Sequence, residues 1–270
     1  MQKKIPFSLV FRQTLNFVRN RIKSITFVSL LVTLISTAIT YDLYQPEVYK
    51  QLDLSEIINS YVLLIIMTLA LSIVLKSISI ATIHNLYVSD KLNPKLLLSK
   101  ALGVILKIIA FYLIMTLSLT FIILFLLLIF ISLSFIFPQS LIIVLIILAL
   151  IFPSILLFIF TNFFLGSLAE SKQKSFFESF SLSFQLTKTQ WVPSFFIMLI
   201  HIVFFIIIAK LSLISDEKNI VFEAILSFCS FFFDIFLTGF FYRLYSLATN
   251  PANSNLPTKD DQQETNSLIV

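Results

Sequence analysis

The sequence predicts an all-α, polytopic integral membrane protein with six transmembrane helices plus amphipathic interfacial helices. Three observations predict it. The 270 residues are 58% hydrophobic and only 12% charged, against about 45–50% and about 25% in a soluble domain. Residues 108–169 contain no charged side chain at all. The Lys and Arg residues fall overwhelmingly on alternate connections between apolar runs, as topology selection by positive charge requires. So little charge cannot cover a water-facing surface, which excludes a soluble globular enzyme and a disordered chain.

The first 23 residues carry Lys3, Lys4, Arg12, Arg19, Arg21 and Lys23 and no acid. Arg12, Asn16, Arg19 and Lys23 share one face at helical spacing, while Phe7, Val10, Phe11, Leu15, Val18 and Ile22 lie mainly on the other. The segment reads as a helix lying on an anionic leaflet, its apolar side in the acyl boundary. The first span, 24–41, is uncharged and just long enough to cross. It lacks the short basic region and small-residue cleavage site of a signal peptide. Four acids and one lysine follow between Asp42 and Glu56.

The second span, about 61–88, encloses Lys76, whose long side chain must snorkel or face the bundle. Lys91, Lys95, Lys100 and Lys107 come next, with Pro94 suited to open a second interfacial helix over 94–107. The charge-free stretch divides at Pro138-Gln139-Ser140, its one good turn signal, into spans at 108–136 and 141–168. Each arm of roughly 30 residues reaches about 45 Å as helix across a hydrocarbon core of about 30 Å, so the hairpin must tilt, bend or project. Pro153 interrupts the second arm. A third interfacial helix is expected between Glu170 and Trp191, where Phe and Leu interleave with Ser and Gln. The fifth span is 193–214 and the sixth 224–248. Residues 249–270 turn polar, without periodicity, and read as a disordered tail.

Fifteen of the nineteen Lys and Arg residues lie on the side of the N-terminus, the 89–107 and 170–191 connections and the C-terminus. Lys50, Lys210 and Lys218 lie opposite. This predicts a bacterial inner-membrane protein with both termini cytoplasmic. Arg12, Arg19, Arg21, Lys23, Lys95, Lys100, Trp191 and Arg243 are the expected contacts to the membrane surface. The implied partner is a bilayer with an anionic cytoplasmic leaflet. A membrane-protein partner is compatible with this reading, and nucleic acid is not needed to explain the net charge of +5.

Catalytic and cofactor motifs are excluded by arithmetic. Gly103, Gly166 and Gly239 are the only glycines, which rules out a phosphate-cradling glycine loop. Cys229 stands alone, and His84 and His201 are far apart, so no cysteine- or histidine-based metal motif exists. No acid–base or nucleophile constellation is visible, and a non-enzymatic protein without a cofactor is expected. The 31 Phe residues fit an AT-rich coding bias and read as lipid-facing or packing surface. Asp234 is the residue that stands out. A carboxyl in mid-span costs several kcal/mol unless neutral or partnered, and His201, Lys76 and Lys210 are the available partners. Asp234 with His201 is therefore the candidate intramembrane polar site, as a proton relay or as a structural contact.

Three stretches carry a family resemblance. They are Val10-Phe11-Arg12-Gln13-Thr14-Leu15-Asn16-Phe17-Val18-Arg19-Asn20, then Ser179-Phe180-Ser181-Leu182-Ser183-Phe184-Gln185-Leu186-Thr187, then Phe241-Tyr242-Arg243-Leu244-Tyr245. In this order, over most of 6–247, the chain resembles the YciC-like family of uncharacterised gammaproteobacterial inner-membrane proteins. The resemblance implies a polytopic inner-membrane protein and brings no reaction or catalytic residue. The long 108–169 hairpin, Asp234 and the polar tail depart from the family pattern. On this reading the protein has an accessory or envelope-maintenance role. A transporter or lipid-handling protein with a membrane-embedded cleft is the alternative.

Overall fold

A computed structural model describes residues 4–43, 54–89, 91–135, 137–170, 174–214 and 219–249. These residues form eight helices and no strand. They are α1 (Phe7–Asn20), α2 (Ile22–Leu43), α3 (Leu54–Val88), α4 (Pro94–Ser134), α5 (Gln139–Ser167), α6 (Phe176–Thr189), α7 (Trp191–Ile214) and α8 (Ile220–Thr249). Six of them, α2, α3, α4, α5, α7 and α8, are long and apolar enough to cross a membrane. Helix is forced on such runs, because hydrocarbon offers no hydrogen-bond partner and the backbone must satisfy itself. The protein is a multi-pass, all-α membrane protein. The expected tail from 250 onward, most of the acidic connection after Asp42, and Lys172, Asp216, Glu217 and Lys218 lie outside the described residues.

α8 is the centre of the bundle. It buries Phe231 and, in its C-terminal half, Ile235, Phe240, Phe241, Leu244 and Tyr245, and it packs against α1, α2, α3, α5 and α7. Gly166 lets α5 come up against it: a Cβ there would sit 2.8 Å from the Tyr242 backbone nitrogen and 2.9 Å from the Phe241 carbonyl carbon. The core is aromatic. Phe111 stacks on Phe164 at 4.2 Å, Phe17 stacks on Tyr87 at 4.2 Å, and Phe163 meets Phe241 edge-on at 5.2 Å.

Two elements differ from the sequence expectation. α1 forms, but its apolar stripe of Val10, Thr14, Phe17 and Val18 is buried against protein. Phe7 packs on Phe240, Phe11 on Phe236 and Phe17 on Tyr87, so this stripe contacts the bundle where the acyl boundary was expected. The exposed positions of α1 are Ser8, Arg12, Leu15, Arg19 and Asn20, so Leu15 leaves the apolar side on which the sequence placed it. The second difference is α4. The expected interfacial helix over 94–107 and the span from 108 are one continuous helix of 41 residues. The Asn93 side chain caps it by accepting from the Lys95 and Leu96 amides at 3.1 and 3.3 Å. No proline or turn follows before Ser134, and one glycine costs only about 1 kcal/mol, so nothing separates the expected interfacial segment from the span. At 1.5 Å per residue α4 is roughly 61 Å long, about twice the hydrocarbon thickness.

Candidate functional site

Asp234 sits at the middle of α8 and Lys76 at the middle of the apolar stretch Val62–Val88 of α3. The two side chains form an ion pair through Lys76 Nζ and Asp234 Oδ1. Their side chains are 14% and 29% exposed, so the pair faces the helix contact rather than open lipid. Of the three partners open in the sequence, the fold selects Lys76. Lys210 is exposed near the end of α7, away from the middle of the span.

His201 does not hydrogen-bond to Asp234. Its ring lies among Phe158, Phe205 and Phe233 at centroid distances of 5.0, 4.7 and 5.7 Å. Its Nδ1 is buried without a hydrogen-bond partner among the described residues. Next to the ion pair, Ser79 donates to Thr238 at 3.2 Å and adds a second polar tie between α3 and α8.

Chemically, a lysine and an aspartate in contact neutralise one another where neither alone is tolerated. A lone charge in this position is expensive. Removing one partner of a buried pair typically costs about 3–5 kcal/mol, because the other charge is stranded. The pair therefore ties α3 to α8 without leaving either charge unpaired. Among the described residues no group of three His, Cys, Asp or Glu side chains converges as a metal site.

The residues assigned to the membrane surface divide. Arg12, Arg19, Lys23 and Lys95 are exposed, as is Trp191 at the start of α7. Arg21 is half-buried at the single-residue break between α1 and α2. Arg243 is 8% exposed, and its Nε donates to the Gln13 side-chain oxygen at 2.8 Å. An arginine near the end of a span reads as an anchor, but this one turns inward because α1 covers it. Lys100 is half-buried as well and donates to the Glu170 carbonyl at 2.9 Å.

Sequence reasoning missed two polar clusters. Asn85 closes the α3–α4 connection by donating to the Asn93 carbonyl at 2.7 Å and accepting from Ser89 Oγ at 3.1 Å. Lys100, Lys107 and Lys174 gather at the same end of the molecule. Lys107 donates to the Lys174 carbonyl, and Lys174 reaches both Glu170 and the Tyr245 hydroxyl, all at 2.9 Å. Burial pulls the Lys174 ammonium pKa down, but the Tyr245 and Glu170 contacts outweigh it and leave the pKa raised. The helical spacing of Lys100 and Lys107 was a readable signal, whereas their meeting with Lys174 depends on tertiary packing. Compared with family models, curated proteins and solved structures, the chain matches none.

Proposed function

We propose that the protein is a non-enzymatic, accessory or envelope-maintenance protein of the bacterial inner membrane, with both termini cytoplasmic and a place in the YciC-like family. The observation that carries the non-transport part is the Lys76–Asp234 pair. The carboxylate that drew attention as a carrier site is already neutralised by a lysine at a helix–helix contact, which suits a clamp. The Lys and Arg distribution supports the orientation, and exposed Arg12, Arg19, Lys23 and Lys95 suit an anionic cytoplasmic leaflet. Reporter fusions at Pro138 and Gln173 test the topology. They should report opposite sides of the membrane, and the same side for both would break it.

A transport reading draws on one observation, the His201 Nδ1 left without a hydrogen-bond partner among the described residues, on a ring stacked against Phe233, the chain neighbour of Asp234. Proteoliposomes with an internal pH dye separate the two readings. Proton leak should equal that of empty vesicles for wild type, Asp234→Asn and His201→Phe alike. A wild-type leak that Asp234→Asn abolishes would replace the clamp with a carrier site.

A further inference from the structure

A cavity of about 230 Å³ opens between α3, α4, the end of α5 and the start of α6. This is the end of the molecule that carries most of the basic residues. One wall is a single face of α4, with Leu96, Lys100, Gly103 and Lys107 at spacings of four, three and four, which helical geometry aligns. Opposite it stand His84, Ser167, Glu170, Lys174 and Ser179. The volume equals roughly eight waters at their share of liquid volume.

The charges around this space do not balance. Lys100 and Lys107 are held by backbone carbonyls, those of Glu170 and Lys174, at 2.9 Å each. A carbonyl satisfies an ammonium proton but leaves its charge intact. Among the described residues Glu170 is the only carboxylate lining the cavity, and it is already ion-paired with Lys174 at 2.9 Å. Two lysine charges are therefore left facing a shared polar hollow, held there by main-chain contacts. His84 is fixed beside them, its Nδ1 donating to the Ala169 carbonyl at 2.9 Å.

Gly103 supplies the second observation. Gly166 and Gly239 each have a neighbour that a Cβ would crowd, whereas a Cβ at Gly103 would meet nothing within 4 Å. Helix packing therefore does not call for a glycine here, although glycine weakens a helix interior. Its effect is to leave the floor of the cavity bare between the two lysines, where a ligand can approach the helix backbone.

We infer that this hollow binds a phosphate-bearing anion, held by Lys100 and Lys107 over the bare turn at Gly103. Basic pockets between membrane helices on the cytoplasmic side suit phosphate headgroups, and a free phosphate offers the same chemistry. The site is separate from the Lys76–Asp234 pair and does not depend on the role assigned to it.

The test uses the full chain in phosphatidylcholine nanodiscs, as wild type, Gly103→Leu, Gly103→Ala and Lys100→Gln/Lys107→Gln. In one arm, native mass spectrometry counts phosphatidylglycerol retained against phosphatidylcholine. Wild type and Gly103→Ala should favour phosphatidylglycerol by roughly tenfold, the scale of one to two lysine–headgroup contacts. Gly103→Leu, which fills the hollow and keeps every charge, should fall to within about twofold of no preference, as should the double lysine variant. In the other arm, inorganic phosphate is titrated against thermal unfolding. Protection of wild type that Gly103→Leu lacks, without lipid preference, identifies a soluble phosphate as the occupant. Equal behaviour of wild type and Gly103→Leu toward both probes overturns the site. If Gly103→Leu does not fold, the double lysine variant decides in the same way.

Discussion

The two ends of the α4–α5 pair are built from the same kinds of residue and do opposite things. Near the basic end, Phe111, Phe163 and Phe164 are fully buried and meet other aromatic rings. Along the far arms, Phe121, Phe125, Leu128, Leu148 and Phe152 are 59–71% exposed, an apolar surface for lipid. Hydrophobicity alone therefore says nothing about packing inside a membrane, where lipid tails solvate a side chain as well as protein does. What separates the two ends is the presence of α6 and the C-terminal half of α8. Those elements surround the base of α5 with side chains, and the far arms have no such neighbours among the described residues.

The comparison breaks if truncation at either end costs the same. Phe164→Ala should destabilise by about 3–5 kcal/mol, the usual cost of emptying a packed aromatic site. Phe125→Ala should change stability by less than about 0.5 kcal/mol, as at a surface position. Denaturant titration of both variants in mixed micelles measures the difference. Gly166→Ala tests the close approach of α5 to α8. Its methyl would collide with backbone atoms of Phe241 and Tyr242, so a loss of about 1–3 kcal/mol is expected, seen as a lowered melting temperature. Arg243→Met removes the tie to Gln13 and should cost about 1.5–3 kcal/mol, the worth of a charged hydrogen bond. Gly103→Ala has the smallest effect and the opposite sign. It should stabilise by up to about 1 kcal/mol, since it improves helix propensity and meets no neighbour; a raised melting temperature checks it.

Much of the fold was legible because apolar runs announce spans directly. The expected 24–41, 141–168, 193–214 and 224–248 differ from α2, α5, α7 and α8 by a few residues at their ends, where helices continue into the interface. The Pro138 turn separates α4 from α5 as its sequence indicates. The continuity of α4 was not legible, because a run of lysines signals an interface but does not stop a helix. The inward turn of Arg243 was not legible either, since it depends on α1 folding back over α8. Asp234 was visible as an anomaly, but its partner was one of three candidates until α3 and α8 were placed side by side. The lysine cavity needed still more, as it joins residues from four separate helices and their connections.

The central claim is that Lys76 and Asp234 neutralise one another inside the membrane, so that neither is left as a stranded charge. A double-mutant cycle on Lys76 and Asp234 tests it most directly, with unfolding free energies measured in the same bilayer mimic for Lys76→Met, Asp234→Leu and the double variant. The account predicts that each single change costs about 3–5 kcal/mol while the double variant recovers most of that loss, because no stranded charge remains. Additive losses, or single variants as stable as wild type, would contradict it.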